Sequence, residues 1–545
     1  MKLYRFFLFI YLIILSASLN GQTATPKHEI RAVWLTTIGG LDWPKNYAGN
    51  SQTARQQQRE LTEILDKLQA AGINMVLLQT RIRATTIYPS QYEPFDACLT
   101  GTVGQSPGYD PLQFAIDECH RRGMECHAWV VTIPVGKWNA PGCKRLRERM
   151  PDNIIKVGQE GYLNPEKSQT ATYLADICEE IISRYDVDGI HLDYIRYPED
   201  WKKQTNASTA RKNIDRIVET IHHRVKAQKP WVKTSCSPIG KFKDLTRYSS
   251  RGWNAYSRVH QDAQGWLRQG WMDMLLPMMY FKGNNFYPFL LDWKENSHGR
   301  HIGAGLGIYL LHPKEGNWTL ADIVREMEVS RLQGVGQVYF RSKFFTDNTK
   351  GIYDFAKDKF YQHPALVPPL EWETTSQPHQ PTDLQVSISP LGKVTLHWKG
   401  DAPLYNIYFS KTFPVDTSRG ENLLSVRIPS TRFMLPEAYS KRYFFAVTAM
   451  DRFGKESQPL QQLEERRPIP GAKMMEHDGK WLRLTADRLP AKDNVFIIET
   501  LQGVQVDARR LQNGAVDISR LPRGTYILRS VDKKGNSHRI GFFRK

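Results

Sequence analysis

Asp186-Val187-Asp188-Gly189-Ile190-His191-Leu192-Asp193-Tyr194-Ile195-Arg196-Tyr197-Pro198 is the stretch on which the fold turns. A short apolar run, Val187–Leu192, ends in a carboxylate and opens into an aromatic, cationic loop. Alternation along a strand puts His191 and Asp193 on one face and Leu192 on the other. The same texture recurs seven more times, at Ile30–Thr37, Ile73–Gln79, Met124–Val131, Val232–Cys236, Met272–Met279, His301–Ile308 and Gly334–Phe340. Between these runs lie helical patterns: Gln56–Ala71, Pro111–Arg122, Thr170–Arg184, Ala210–Ala227 and Leu320–Gln333. In the second, Leu112, Ala115, Ile116 and Cys119 share one face at three- and four-residue steps. Gly72 and Gly123 stand where a glycine ends a helix. Strands separated by helices imply right-handed crossovers and a parallel sheet. Eight such units over residues 29–360 predict an α/β fold, a (β/α)8 TIM-type barrel with enlarged loops. An open doubly wound sheet would carry a glycine-rich phosphate loop after its first strand, and Thr36-Thr37-Ile38-Gly39-Gly40-Leu41-Asp42 is not one.

Outward from the barrel the texture changes. Residues 363–380 are rich in Pro, Thr, Ser and Gln and read as a linker. Residues 381–464 show short alternating strands at Leu384–Ile388, Val394–Trp398, Tyr405–Phe409 and Tyr443–Ala449, with Trp398 and Tyr443 as core aromatics. They predict a small β-sandwich that resembles a fibronectin type III module. Residues 466–545, opening at Arg466-Arg467-Pro468-Ile469-Pro470, form a last all-β segment with strands at Gly524–Leu528 and Arg539–Phe543 around an Asp532–Ser537 turn. Its end, Val516–Leu528, is similar to the C-terminal sorting domains of a bacterial outer-membrane secretion system, the alternative being another β-sandwich module with no sorting role. At the other end, Met1–Arg5 is a short cationic region, Phe6–Leu15 an apolar stretch, and Ser16, Ala17, Ser18 and Gly21 close it. This is the pattern of a secretory signal peptide over residues 1–21.

Composition narrows the function classes. The 545 residues are 41% hydrophobic and 11% aromatic, enough for real cores and against wholesale disorder. The single long apolar run is the leading one, so no stable membrane span is expected after signal cleavage. Lys and Arg number 74 against 56 Asp and Glu, a formal charge of +18, of which Lys2 and Arg5 would leave with the signal. That excess points to an anionic partner: an acidic polysaccharide, a cell-wall polymer, lipid headgroups or nucleic acid. Nucleic acid is disfavoured because no dense Lys/Arg run or recognised binding module is present. Six cysteines, Cys98, Cys119, Cys126, Cys143, Cys178 and Cys236, form no zinc-binding spacing and allow either buried thiols or disulfides in an exported protein. No cofactor is expected, since HExxH, P-loop and EF-hand patterns are absent.

In a barrel of this type the chemistry sits where strands end. Asp193 would project into the mouth, either as a catalytic carboxylate or as a salt-bridge partner of Arg196. A carboxylate there can attack an anomeric carbon, stabilise an oxocarbenium ion or activate water; such chemistry uses a second carboxyl group, and the first choice is Asp42, beside Trp43, whose bulk would desolvate it and suit it as general acid. Glu166 and Asp262 are further candidates, while Asp110 in Pro107-Gly108-Tyr109-Asp110-Pro111 reads better as a helix N-cap. His127 and His191 could hydrogen-bond sugar hydroxyls or be satisfied core residues. Among the aromatics near strand ends (Trp34, Trp43, Tyr88, Trp129, Tyr194, Tyr197, Tyr280 and Tyr309), flat rings suit the faces of sugars, and Tyr88 and Tyr280 fit substrate contact best.

From Glu29 to Phe345 the chain resembles the glycosyl-hydrolase-like family ten. The resemblance is carried by ordered motifs: Arg31-Ala32-Val33-Trp34-Leu35-Thr36-Thr37, Leu41-Asp42-Trp43-Pro44, Gln79-Thr80-Arg81 with Ile87-Tyr88-Pro89-Ser90, Leu99-Thr100-Gly101, Pro107–Leu112, His127-Ala128-Trp129, the Asp193 stretch, Ser237-Pro238-Ile239-Gly240, and Gly270-Trp271-Met272-Asp273 leading to Pro277 and Tyr280. It implies an exported bacterial barrel hydrolase of glycosidic bonds acting on cell-wall glycan, peptidoglycan strands above all, in the periplasm, at the outer-membrane surface or outside the cell. On these motifs Arg81, Tyr88, His127, Trp129, His191, Arg196 and Tyr280 are the expected substrate-binding residues, beside the catalytic pair Asp193 and Asp42. The chain departs from the family at Val130-Val131-Thr132-Ile133-Pro134, where an Asn-Pro-Tyr-Arg type loop is common, and at Tyr194, where a second aspartate often follows. A non-catalytic glycan-binding barrel is the alternative those departures raise.

Overall fold

The computed structural model describes residues 25–248, 250, 252–388, 394–435, 443–462, 475–484, 495–500, 505–532 and 537–545. The expected signal segment 1–21, residues 466–470 and most of the Asp532–Ser537 turn lie outside them. Eight parallel strands close a barrel. They are β1 (Arg31–Leu35), β2 (Met75–Arg81), β3 (Glu125–Val131), β4 (Gly189–Asp193), β5 (Lys233–Cys236), β6 (Met274–Leu275), β7 (His301–Leu306) and β8 (Gly336–Phe340), with β8 pairing back onto β1. Helices α1 (Ser51–Ala70), α2 (Pro111–Arg121), α3 (Ser168–Arg184), α4 (Ala207–Gln228), α5 (Ala263–Gln269), α6 (Tyr287–Glu295), α7 (Leu320–Leu332) and α8 (Ser342–Thr346) follow the strands in turn.

Two layers of apolar packing result from strand alternation. Val33, Leu35, Ile190 and Leu192 face the helices, while Ala32, Trp34, Leu77, Trp129, Val131 and Val338 fill the barrel interior. Helix α1 begins five residues before its apolar period because Asn50 and Thr53 form a reciprocal capping box. Strand β6 is far shorter than Met272–Met279. Its ladder is interrupted where Pro277 has no N–H to give and the Asp273 carboxylate takes the Thr234 N–H at 2.7 Å. A three-stranded antiparallel sheet, Pro134–Lys137, Glu160–Leu163 and Ile154–Val157, is inserted after β3, on the side where the strands end. Its four-residue strands are too short to show a period in sequence.

Beyond the barrel two antiparallel sheets pack together: β9 (Thr382–Ile388), β10 (Val394–Lys399) and β13 (Arg432–Met434) against β11 (Leu404–Ser410), β12 (Leu423–Ile428), β14 (Phe444–Met450) and β15 (Leu460–Gln461). Trp398 is buried against Tyr405 (5.4 Å between rings), whereas Tyr443 is half-buried beside Phe409. Strands Val495–Thr500, Gln505–Arg510, Thr525–Val531 and Ser537–Arg544 make a further four-stranded sheet. The stretch read as a linker is a docked strap. Asn74 donates to the Ala365 carbonyl, Arg31 to that of His363, Trp372 to Asp273, and Leu366 and Leu370 are buried.

The N-terminal end of the barrel is closed by charge. Glu125 at the start of β3 accepts from Lys233 at the start of β5 (2.7 Å) and lies 3.0 Å from His127 Nε2. From the two-sheet module Arg427 reaches both Glu125 and Asp188, and Asp188 also meets His120. Burial opposes ionisation of Glu125, yet Lys233, the His127 hydrogen bond and Arg427 hold its carboxyl below the usual range. A cavity of about 420 Å³ lies at this seam, between Asn74, Arg122 and Tyr361 on one side and Val426 and Phe433 on the other.

Candidate active site

Asp193 is the last residue of β4 and lies half-buried at the open end of the barrel. Neighbouring strands bring residues of equal height together, and register places Val131 beside Asp193 and Cys236 beside Leu192. Ser237, one residue beyond β5, therefore reaches Asp193 and donates its hydroxyl at 2.9 Å. Trp129 donates its indole N–H to the other carboxylate oxygen at 3.2 Å, and the Tyr194 N–H completes the set at 2.8 Å. The Asp193 carbonyl accepts from Thr132 N–H and hydroxyl. Tyr194 adopts φ 56, the left-handed region that is costly for a bulky residue, and this turns the chain sharply after the carboxylate.

Above this floor stands Tyr280, its ring stacked on Phe340 (5.4 Å) and edge-on to Tyr309 (5.8 Å). Burial and the nearby Asp193 charge push its phenol well above the ordinary value, so it keeps its proton. That hydroxyl has no hydrogen-bond partner among the described residues, which leaves a donor beside a carboxylate. Below Asp193, His191 is fully buried. An indole N–H can only donate, so the Trp34 bond to Nε2 (3.1 Å) leaves the proton on Nδ1, which faces Ser235 Oγ at 2.9 Å. Burial and His127 hold His191 well below 6.5, in the neutral form.

Several expected site residues are instead braces. Arg81 is fully buried, grips Glu93 through Nε and Nη2, and donates Nη1 to the Val131 and Thr132 carbonyls. All three guanidinium nitrogens are thus engaged within the protein. Tyr88 is buried with its hydroxyl on Glu180 of α3 (2.9 Å), outside the barrel. His127 lies inside the barrel on the Glu125 network, and His191 is the core support just described. Arg196 does not pair with Asp193. It bonds Glu199 at 3.0 Å and stacks on the Tyr194 ring at 3.6 Å. Trp129 and Tyr280 alone of the expected contacts adjoin Asp193.

Asp42 is 3% exposed, and both oxygens are engaged. Oδ2 accepts from Thr36 N–H (2.9 Å) and hydroxyl (2.8 Å), Oδ1 from Arg341 and Lys343 N–H. Trp43 is buried with its indole on the Gln57 carbonyl. The set ties the end of β1 to the segment after β8. Asp110 caps α2 through Leu112 and Gln113 N–H and also accepts from Tyr185. Asp262 caps α5, and Glu166 accepts from Gln204 N–H. Ser237 had no assigned role in sequence, although its place one step past β5, level with Asp193, is the signal that finds it.

A closed barrel of eight parallel strands with a polar, aromatic mouth around one strand-end carboxylate is the architecture of glycoside-hydrolase-like proteins. The profile of the family described as Glycosyl hydrolase-like 10 matches residues 29–210 and 204–297, and the chain belongs to that family. Among characterised relatives, Glycosyl hydrolase DigH of Escherichia coli (strain K12) is 31% identical over 296 residues, 48% of this chain and 67% of its own. Glycosyl hydrolase YngK of Bacillus subtilis (strain 168) is 28% identical over 478 residues, 80% of this chain and 93% of its own. Among solved structures, an alpha-L-fucosidase isoenzyme of Paenibacillus thiaminolyticus aligns with a TM-score of 0.41 at 13% identity, over 61% of this chain and 49% of that one. The six cysteines are all buried free thiols.

Proposed function

We propose that the protein hydrolyses O-glycosyl bonds in a bacterial cell-wall glycan, peptidoglycan strands being the favoured substrate, with Asp193 as the acting carboxylate. The observation that carries this is the cradle at the end of β4. Three donors aim the Asp193 carboxylate from two neighbouring strands and its own backbone, with an unpartnered Tyr280 hydroxyl beside it. A carboxylate so held can attack an anomeric carbon or stabilise an oxocarbenium ion, and Tyr280 can donate to a sugar oxygen. Membership of a hydrolase-like family with named glycosyl hydrolases supports the same reading. The test is release of reducing ends from sacculi or denuded glycan strands by purified protein. Asp193→Asn should abolish it, by roughly a thousandfold or more, with thermal unfolding nearly unchanged. Undiminished turnover in that variant removes Asp193 from the chemistry.

One observation favours a second reading, a non-catalytic glycan binder: Asp42, the first choice for the second carboxyl group, is engaged as a brace. Tight glycan binding with no product at any pH would establish it. The same proposal includes export through the signal segment 1–21 and surface delivery through residues 466–545. The module closes at Gln462, which exchanges hydrogen bonds with Phe445. Deleting residues 463–545 should therefore leave hydrolysis intact and trap the protein in the periplasm. Surface delivery of the shortened chain would reduce that segment to another β-module.

A further inference from the structure

The loop that leaves β5 begins with Ser237, which holds Asp193, and four residues later carries Lys241. Lys241 is only 8% exposed. Its ammonium donates to Ser250 Oγ (3.1 Å) on the same loop and to Asn285 Oδ1 (2.8 Å) on the loop after β6, and it lies over the Phe281 and Phe289 rings at 5.3 and 4.8 Å. Phe281 directly follows Tyr280 of the mouth in the chain. An ammonium has three donors, and two are used on neutral acceptors. Among the described residues no carboxylate is within ion-pair distance of it. Exposed Asp244 is the nearest acidic influence, and burial still draws the ammonium below its ordinary value. A cation in an enclosed site without a counter-charge is costly, and an anion arriving from outside would offset that cost.

A second feature of the same loop points to a sugar. Trp253 lies three residues beyond Ser250 and is 43% exposed, among the most exposed large apolar side chains described. Residue reach of about 3.3–3.6 Å puts it within about 10 Å of the Lys241 partner along the chain. An indole face offers an apolar platform for a pyranose ring. Lys243 on this loop covers Tyr256 at 3.6 Å, which adds positive charge to the same side.

We infer that Lys241 and Trp253, on the chain that leaves β5, form an acidic-sugar subsite, in which Trp253 stacks on a ring and Lys241 receives a carboxylate borne by that ring or its neighbour. The inference rests on the glycan-hydrolase reading and adds the charge of the substrate to it. A glycan with a carboxylate could be a uronic-acid polymer or a wall strand bearing lactyl ethers, and both present the same group to Lys241.

The experiment uses the full chain and follows tryptophan fluorescence and calorimetric binding of peptide-free peptidoglycan strands. The same strands with carboxyls reduced to alcohols, oligogalacturonate and neutral chitin oligomers serve as comparators. Wild-type protein should bind the acidic strands about tenfold more tightly than the reduced ones, with that margin shrinking as salt rises. Lys241→Met should erase the margin without changing affinity for the reduced strands. Lys241→Arg should keep part of the margin. Trp253→Ala, an exposed change that leaves the fold alone, should weaken both ligands alike. Preference for oligogalacturonate over the strands would assign the subsite to uronic acids. Equal wild-type affinity for acidic and reduced strands overturns the inference while leaving hydrolysis standing, and it needs no variant to fold. Failure to bind or cleave any of these glycans overturns both.

Discussion

The two ends of the barrel use the same residue types to opposite purposes. At the N-terminal end, Glu125, Lys233, His127, Asp188 and Arg427 form a closed ionic network under the two-sheet module. At the C-terminal end, Asp193 is held only by neutral donors, and the Tyr280 hydroxyl has no described protein partner. What separates a brace from a reactive group is saturation. A carboxylate whose oxygens meet cations inside the protein has its field cancelled there, whereas one held by N–H and O–H dipoles keeps its charge for a substrate.

The sharpest way to break this contrast is to cut the network at the closed end. Lys233→Met or Arg427→Met leaves Glu125 buried with less counter-charge and should cost about 3–5 kcal/mol in chemical denaturation. Activity should fall only as far as the folded fraction does. A smaller loss than that of an ordinary surface change would mean that the seam is solvated and the two ends are not different in kind.

Glu326 on α7 tests whether an unsatisfied group must mark a site. It is 1% exposed, its Oε2 has no hydrogen-bond partner among the described residues, and burial followed by Asp322 pushes its carboxyl up to about 9. The folded state therefore holds the proton across a window in which the unfolded chain, near 4.5, releases it. Stability should fall as pH rises from 4.5 towards 9. Glu326→Gln should stabilise by about 1–3 kcal/mol at pH 8, and the gain should vanish at pH 4. Melting curves at the two pH values read this directly, and equal gains at both would show that the group is not buried as a neutral acid.

At the open end the expected effects are kinetic. Ser237→Ala removes one neutral donor from Asp193 and should lower kcat about tenfold, or about 1.4 kcal/mol in the barrier, with KM unchanged. A raised KM at constant kcat would place Ser237 on the substrate instead. The smallest effect belongs to Asp110, where loss of the α2 cap in Asp110→Ala should cost about 1 kcal/mol and leave turnover unaffected. A clear loss of activity there would return Asp110 to the chemistry.

Much of this architecture is legible along the chain, because strand and helix periods are local properties. The eight barrel strands appear in their sequence positions, with β6 truncated by Pro277, and Asp193 stands at a strand end where periodicity placed it. Sequence does not show that Arg81 and Tyr88 are engaged elsewhere, because their partners, Glu93 and Glu180, lie 12 and 92 residues away and bear no local signature. Helix α6 and the inserted sheet after β3 were missed because neither carries a clean period.

The barrel, the β-rich units after it, the family and the carboxylate at the end of β4 are all readable from residue order alone. Alternation, capping signals and motif order all act over short separations, and each survives without knowledge of distant partners. Which polar groups are left free is settled by the packed fold. Asp42, in the loop after β1, and Asp193, at the end of β4, look alike as acids on the mouth side, but closure of β8 against β1 brings Arg341 onto the first, while the neighbouring strands bring only the neutral donors Trp129 and Ser237 to the second. Whether a side chain is satisfied depends on what the fold carries to it, and that is a property of three-dimensional neighbourhoods rather than of spacing.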